Sequence, residues 1–245
     1  MIEVHYDKKK RARFAQTYLL SEINLQLTLQ GIFRGCNIKN LKSVLDVGCG
    51  RARELLRCQG STELLVGVDI VYYKEWKSFD TANFVIADSH FLPFKQNTFD
   101  FVFLKDLLHH ILKSKSSVID EAFEACKDKG LLRIIEANRY HINPILVYKM
   151  DKSHEHFTKR ELQKIAQLHL FDELYSYELL PYFSPRKRDL LWNFFACIIF
   201  VLTTWRVTRK VLFLYTCLKE RFLRNFLTYH VISKSKTSKR NLDPS

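Results

Sequence analysis

A strand that breaks into glycines, answered by a second strand ending in an acid, constrains this chain more than any other feature. In SVLDVGCGRARELLR (Ser43 to Arg57), Val44, Leu45 and Val47 form a short apolar run suited to a strand buried on both faces. Gly48, Cys49 and Gly50 then make a tight turn, and ARELLR resumes with helical character. Strand, glycine turn and helix in that order bring backbone N–H groups and a helix N-terminus to a ligand. The same order also serves as a plain strand-to-helix connection. The next apolar run, LLVGVDI (Leu64 to Ile70), ends in Asp69, twenty-one residues after Gly48. Nucleotide-binding α/β folds place an acid at about that spacing to accept hydrogen bonds from ribose hydroxyls. A turn or helix-capping role is the other use of an acid there.

Charge separates the ligands that fit such a turn. A dinucleotide fingerprint G-x-G-x-x-G needs a third glycine at position 53, which is Arg53. Asp46, two residues before the first glycine, would set a negative charge beside a pyrophosphate. A sulfonium cofactor with an amino-acid end is cationic where a pyrophosphate is anionic, so a nearby carboxylate favours S-adenosylmethionine.

Further motifs follow in order. VLDVGCGRA (Val44 to Ala52), VGVDI (Val66 to Ile70), VIADSHFLPFKQNTFDFVFLKDLLHHI (Val85 to Ile111), GLLRIIEANR (Gly130 to Arg139) and HFTKRELQKIAQLHLFDELYSYELL (His156 to Leu180) together resemble the class I S-adenosylmethionine-dependent methyltransferases. The resemblance is to the ubiquinone/menaquinone-biosynthesis (methyltransferase type 11) group and covers roughly residues 40 to 183. Ala52 stands where glycine is commoner. The resemblance implies a Rossmann-like three-layer α/β/α sandwich around a mostly parallel seven-stranded sheet with an antiparallel last strand. It also implies roles. Gly48, Cys49 and Gly50 would line the methionine and ribose portion, and Asp46 would help orient the cofactor through nearby backbone or its amino end. Asp69 would take the ribose hydroxyls, Ile70 would pack on the adenine face, and Asp88 with Ser89 beside it would accept from the adenine amino group. Lys105 would contribute backbone near the sulfonium.

The chain divides accordingly. Residues 1–40 carry Phe14, Tyr18, Leu19 and Ile23 at helical spacing and read as cap helices, with His5 and Tyr6 placed to close over substrate or to lie on the helix surface. Residues 41–183 form the cofactor-binding core, with a helix end and turn expected at Lys129-Gly130 and a sixth strand at Leu174 to Leu180. TYHVISK (Thr228 to Lys234) has strand character and resembles the last strand. Residues 184–225 are therefore an apolar and basic helical insertion, and 226–245 hold the last strand and a basic tail too poor in apolar groups to pack.

The insertion contains LLWNFFACIIFVLTTW (Leu190 to Trp205), sixteen residues without a charge. As a helix it spans about 24 Å, short of the roughly 30 Å hydrocarbon core. A packed core helix is one alternative to a span. An interfacial element is the other, and it suits the flanking Arg186, Lys187, Arg188, Arg206, Arg209 and Lys210, with Trp192 and Trp205 at the two ends. Of the net charge of +13, residues 186–245 hold thirteen Lys/Arg against three Asp/Glu. Such a balance implies a polyanionic partner or serves solubility. The basic residues alternate with large apolar groups, which favours peripheral membrane contact through 186–224 over nucleic acid. The six scattered cysteines and the charged N-terminus point to a cytoplasmic chain.

Methyl transfer by direct displacement needs alignment above all, and a base only when the acceptor loses a proton. His109 and His110, just past the fourth strand, are the candidates; capping or packing is their alternative use. Asp106, Glu136, Asn138 and His141 fall at strand ends on the same edge and could contact the acceptor. No metal-ligand spacing is present. The expected activity is methyl transfer to a small, lipophilic or membrane-linked acceptor. An RNA or protein methyltransferase using the basic C-terminal region is one alternative; no N-P-P-Y signature follows the fourth strand. A non-catalytic scaffold of the same fold is another.

Overall fold

A computed structural model describes residues 22–139, 156–178 and 228–236. Its centre is a seven-stranded sheet of β1 (Ser43–Val47), β2 (Leu64–Asp69), β3 (Asn83–Ile86), β4 (Phe99–Lys105), β5 (Cys126–Ala137), β6 (Glu173–Glu178) and β7 (Thr228–Ser235). The spatial order is β3-β2-β1-β4-β5-β7-β6. Strands β1 to β5 pair in parallel, and β7 runs antiparallel to both neighbours. The order reverses between β1 and β4, and ligands of open α/β sheets bind outside the carboxyl ends of the strands at such a switch point.

Alternation along the strands makes the three layers. On β4, Val102 and Leu104 face one core with Leu45 and Val47 of β1. That core is closed by Val118, Ile119 and Ala122 of α2 (Lys115–Ala125) and by Leu162 and Ala166 of α3 (Lys159–Leu168). Phe101 and Phe103 face the other core, with Val44, Leu55 and Ile32, the last residue of helix α1 (described over 22–32). The ring of Phe33 lies 5.0 Å from that of Phe101. Each such buried side chain contributes roughly 1.5–3 kcal/mol. α3 starts at a capping box: the Thr158 hydroxyl accepts from the Glu161 N–H, and the Glu161 carboxylate accepts from the Thr158 N–H.

Buried Arg133 ties α1 to the sheet. Its guanidinium donates to the carbonyls of Ile32 and Arg34 and lies over the rings of Phe101 and Tyr175. The Ile32 carbonyl is one of the acceptors a helix end leaves unsatisfied.

The expected fold class holds, with local corrections. The helix expected from ARELLR is only a 3-10 turn, Leu55–Cys58. Ala52 takes a left-handed φ of 57° just before it, so the backbone is turned away from the α-region where that helix would begin. The expected helix end at Lys129-Gly130 falls earlier, at Ala125, and β5 starts at once with a register shift opposite Phe99/Phe101. β6 is described over Glu173–Glu178, and the last two residues of the expected strand, Leu179 and Leu180, lie outside the described residues. Among the described residues no helix is long and apolar enough to cross a membrane. His5, Tyr6, His141, the 184–225 insertion and most of the basic tail lie outside the described residues.

Candidate cofactor and acceptor site

The glycine turn rides on β2. The N–H groups of Gly48 and Cys49 both donate to the Val68 carbonyl, at 2.8 and 2.9 Å. Gly48 has φ +76°, and a Cβ there would lie 2.8 Å from the Leu107 side chain. Gly50 has φ +51°, and none of the described residues lies within 4 Å of a Cβ there. Ala52, at the position where glycine is commoner, also has φ > 0, a conformation that costs an L-residue roughly 1–2 kcal/mol. The Cys49 sulfur packs inward, 2.8 Å from where a Gly67 side chain would begin. Burial, and then the charges of Asp46 and Asp69, push its thiol far above the ordinary range. Cys49 thus offers the open face of the turn only its backbone.

Asp69, at the end of β2, bridges the two turns: one carboxylate oxygen accepts from Gly50 N–H at 2.9 Å and the other from Val71 N–H at 3.0 Å. Trp76 closes the arrangement by donating its indole N–H to the Gly50 carbonyl at 2.7 Å while stacking on Phe84. Beyond Asp69 the surface is apolar and uncovered. Ile70 is 67% exposed and Ile86, at the end of β3, 59% exposed. Such large apolar groups beside a carboxylate suit a flat ring attached to a ribose.

The carboxyl ends of β1 and β4 hold a dense charge cluster. The Lys105 ammonium is 2.6 Å from Asp106 and 3.4 Å from Glu54. Burial opposes its charge, but those two carboxylates outweigh burial and hold the ammonium well above its usual range. Asp46 is buried beneath the turn, where burial first and then the Glu54 charge push its carboxyl well above normal, partly offset by Lys105. Lys105 therefore offers more than backbone: its side chain balances the acids around it. Glu54 was missed in the sequence because only the fold brings it to Lys105.

Past β4 the two histidines diverge. His109 is buried, and its Nδ1 lies 2.7 Å from the Glu136 carboxylate of β5. The other Glu136 oxygen accepts from Leu108 N–H at 2.7 Å. His109 stacks on His156, with ring centroids 4.4 Å apart. Burial disfavours its charge, yet the hydrogen bond and charge of Glu136 raise its pKa on balance. His110 is exposed and lines a cleft of about 600 Å³ with Asp88, His90, Phe91, Leu112 and Ser117. Ser89 is half-buried in the loop that forms one wall.

Sequence spacing showed no metal cluster, but the fold brings donor atoms of Asp106, His109 and Glu136 within 4.8 Å of one another. They come from separate elements, which spacing cannot reveal. Their donors are already engaged, Asp106 with Lys105 and His109 with Glu136.

The methyltransferase domain family matches residues 45–134. The fold is that of a S-adenosylmethionine-dependent methyltransferase from Archaeoglobus fulgidus, 18% identical, with a TM-score of 0.56 over 86% of this chain and 94% of that one. It is also that of the Burkholderia thailandensis 1,6-didemethyltoxoflavin-N1-methyltransferase with bound S-adenosylhomocysteine, 14% identical, with a TM-score of 0.55 over 97% and 94% of the two chains. A third is phosphoethanolamine N-methyltransferase 2 of Haemonchus contortus with S-adenosylmethionine, 16% identical, at 0.55 over 88% and 52%. No curated protein matches the chain by sequence. Residues 45–134 thus match a methyltransferase domain, and the described fold is that of the S-adenosylmethionine-dependent methyltransferases it is compared with. The glycine turn, the paired Asp69 and the surplus of carboxylates fit a cation such as the S-adenosylmethionine of the Haemonchus contortus enzyme.

Proposed function

We propose that the chain methylates a small, lipophilic acceptor at the carboxyl edge of β4 and β5. Bound S-adenosylmethionine supplies an electrophilic methyl group on a sulfonium. On this reading Gly48, Cys49 and Gly50 line the methionine and ribose through their backbone, and Asp69 takes the ribose hydroxyls. Ile70 covers the adenine, while Asp88 and Ser89 receive its amino group. Asp46, Glu54, Lys105 and Asp106 leave the site net negative around the sulfonium. Glu136 and His109 fix the turn after β4. His110, exposed in the cleft, is the base for an acceptor that must lose a proton.

One observation carries the lipophilic reading. Glu178 at the end of β6 pairs with Thr228 at the start of β7, and Tyr229 pairs with Ala137 at the carboxyl end of β5. Both flanks of segment 179–227, which contains the uncharged run Leu190 to Trp205, therefore meet at the site's own edge. The basic residues beside that run favour a place on an anionic membrane surface.

The test uses methyl-labelled S-adenosylmethionine with membrane and soluble extracts of the source cells. Label is expected in an organic-extractable product. Label confined to RNA, protein or water-soluble metabolites overturns the lipophilic acceptor and leaves the transferase in place. Asp69→Ala is expected to weaken cofactor binding by at least about tenfold, because it removes a charged acceptor; unchanged affinity would sink the ribose placement.

A further inference from the structure

His90 joins two loops through two groups that can only accept. Its Nδ1 is 2.8 Å from Asp88 Oδ1, and its Nε2 is 3.3 Å from the Lys113 carbonyl oxygen, twenty-three residues away. A neutral imidazole has one N–H and can satisfy only one of these; an imidazolium satisfies both. The two partners both line the 600 Å³ cleft, Asp88 in the loop after β3 and Lys113 in the turn before α2. Asp88 Oδ1 also accepts the His90 backbone N–H at 2.9 Å. Both bonds thus fall on one oxygen, and Oδ2 takes none from the described residues.

We infer that His90 acts as an imidazolium clasp between these loops, and so is a positioning residue that aims the free oxygen of Asp88 at the adenine end of the cofactor. This rests on the placement of adenine at Asp88 proposed above. The hydrogen bond that its ring donates to Asp88 raises the His90 pKa, and the His90 backbone and side-chain donors lower that of Asp88. The other ionisable groups that line the cleft are His110 and Lys113, while Glu121 of α2 reaches the same loop by accepting from Leu92 N–H. A histidine with a raised folded pKa keeps its clasp below the free value of about 6.5 and loses it as pH rises through the folded value. Below that point the loops are joined; above it one bond is given up.

The experiment pairs histidine NMR with cofactor calorimetry on the full chain across pH 6 to 9. His90, assigned with His90→Gln, is expected to titrate above about 6.5, with both ring nitrogens protonated on the acid side of that transition. Affinity for S-adenosylmethionine is expected to fall about twofold to fivefold as His90 deprotonates, the range open to a partly exposed charged contact. The His90→Gln profile should lack that step, and Asp88→Asn should return His90 toward its free value. A His90 that titrates at or below the free value overturns the clasp. A high His90 pKa with affinity indifferent to it, together with full affinity in Asp88→Asn, places the fault in the adenine assignment and removes the positioning role.

Discussion

Replacing Glu136 by leucine should be among the most damaging single changes in the described part of the chain. The carboxylate is fully buried and accepts two hydrogen bonds, from Leu108 N–H and His109 Nδ1, both at 2.7 Å. Leucine leaves the buried Leu108 donor unsatisfied, worth about 1–3 kcal/mol. It also strips a buried histidine of its carboxylate, and breaking such a pair from one side costs about 3–5 kcal/mol. The losses overlap, so we expect about 3–5 kcal/mol in all, or a Tm lower by about 6–20 °C for a chain of this size. Glu136→Gln keeps one acceptor and should cost less. The pH dependence carries an independent sign. Both members of the pair have raised pKa values, from burial in Glu136 and from the Glu136 bond outweighing burial in His109. The folded pair thus holds a proton that the unfolded chain has released, and wild-type stability falls as pH rises from about 6.5 through the folded His109 value, by at most about 1.4 kcal/mol per pH unit for one proton. In Glu136→Leu, burial without a carboxylate disfavours the imidazolium, so the decline in that window should disappear and stability should instead rise with pH below about 6.5. Urea melts at several pH values measure both. A loss below about 1 kcal/mol, or an unchanged slope, would refute the desolvated pair.

Three further substitutions probe the frame around the site. Gly48→Ala should cost about 1–3 kcal/mol, since it adds a left-handed alanine and a clash with Leu107; Gly50→Ala meets open space and should cost only the backbone part, a difference that thermal melts of the two variants would show. Arg133→Met should free the carbonyls of Ile32 and Arg34 and cost about 1.5–3 kcal/mol, with earlier proteolytic cleavage between α1 and β1 as the readout.

What the sequence revealed and what it hid follow from how each feature is encoded. The sheet was legible because each parallel strand is a near-continuous apolar run, and because Asp69 and the glycines have fixed local spacing. The antiparallel β7 was legible from TYHVISK, since β-branched and aromatic residues suit its buried pleat. The helix expected at ARELLR failed because propensity says nothing of the left-handed Ala52 before it. His109 and His110 looked equivalent as neighbours in the chain. Only the fold shows that one is turned to Glu136 and the other to the cleft. Glu54, Trp76 and His90 carried no signal at all, because their partners Lys105, Gly50 and Lys113 lie 51, 26 and 23 residues away.

These long-range pairs share a logic. The strands supply rigid ends, but the loops beyond them must be held open toward a ligand without their own core. Here the holding is done by ionisable groups: Asp69 grips the turn after β1, Glu136 the turn after β4, and His90 the loop after β3. Polar clasps suit this task because they are directional and fix a loop without filling the space in front of it, where an apolar contact would occupy the site. They also expose the site to pH in a way an apolar core is not. The two histidine clasps have pKa values raised by their carboxylates, so both loosen in the same direction, toward alkaline pH. Cofactor affinity and stability should therefore decline together there, with His90→Gln removing the first decline and Glu136→Leu the second.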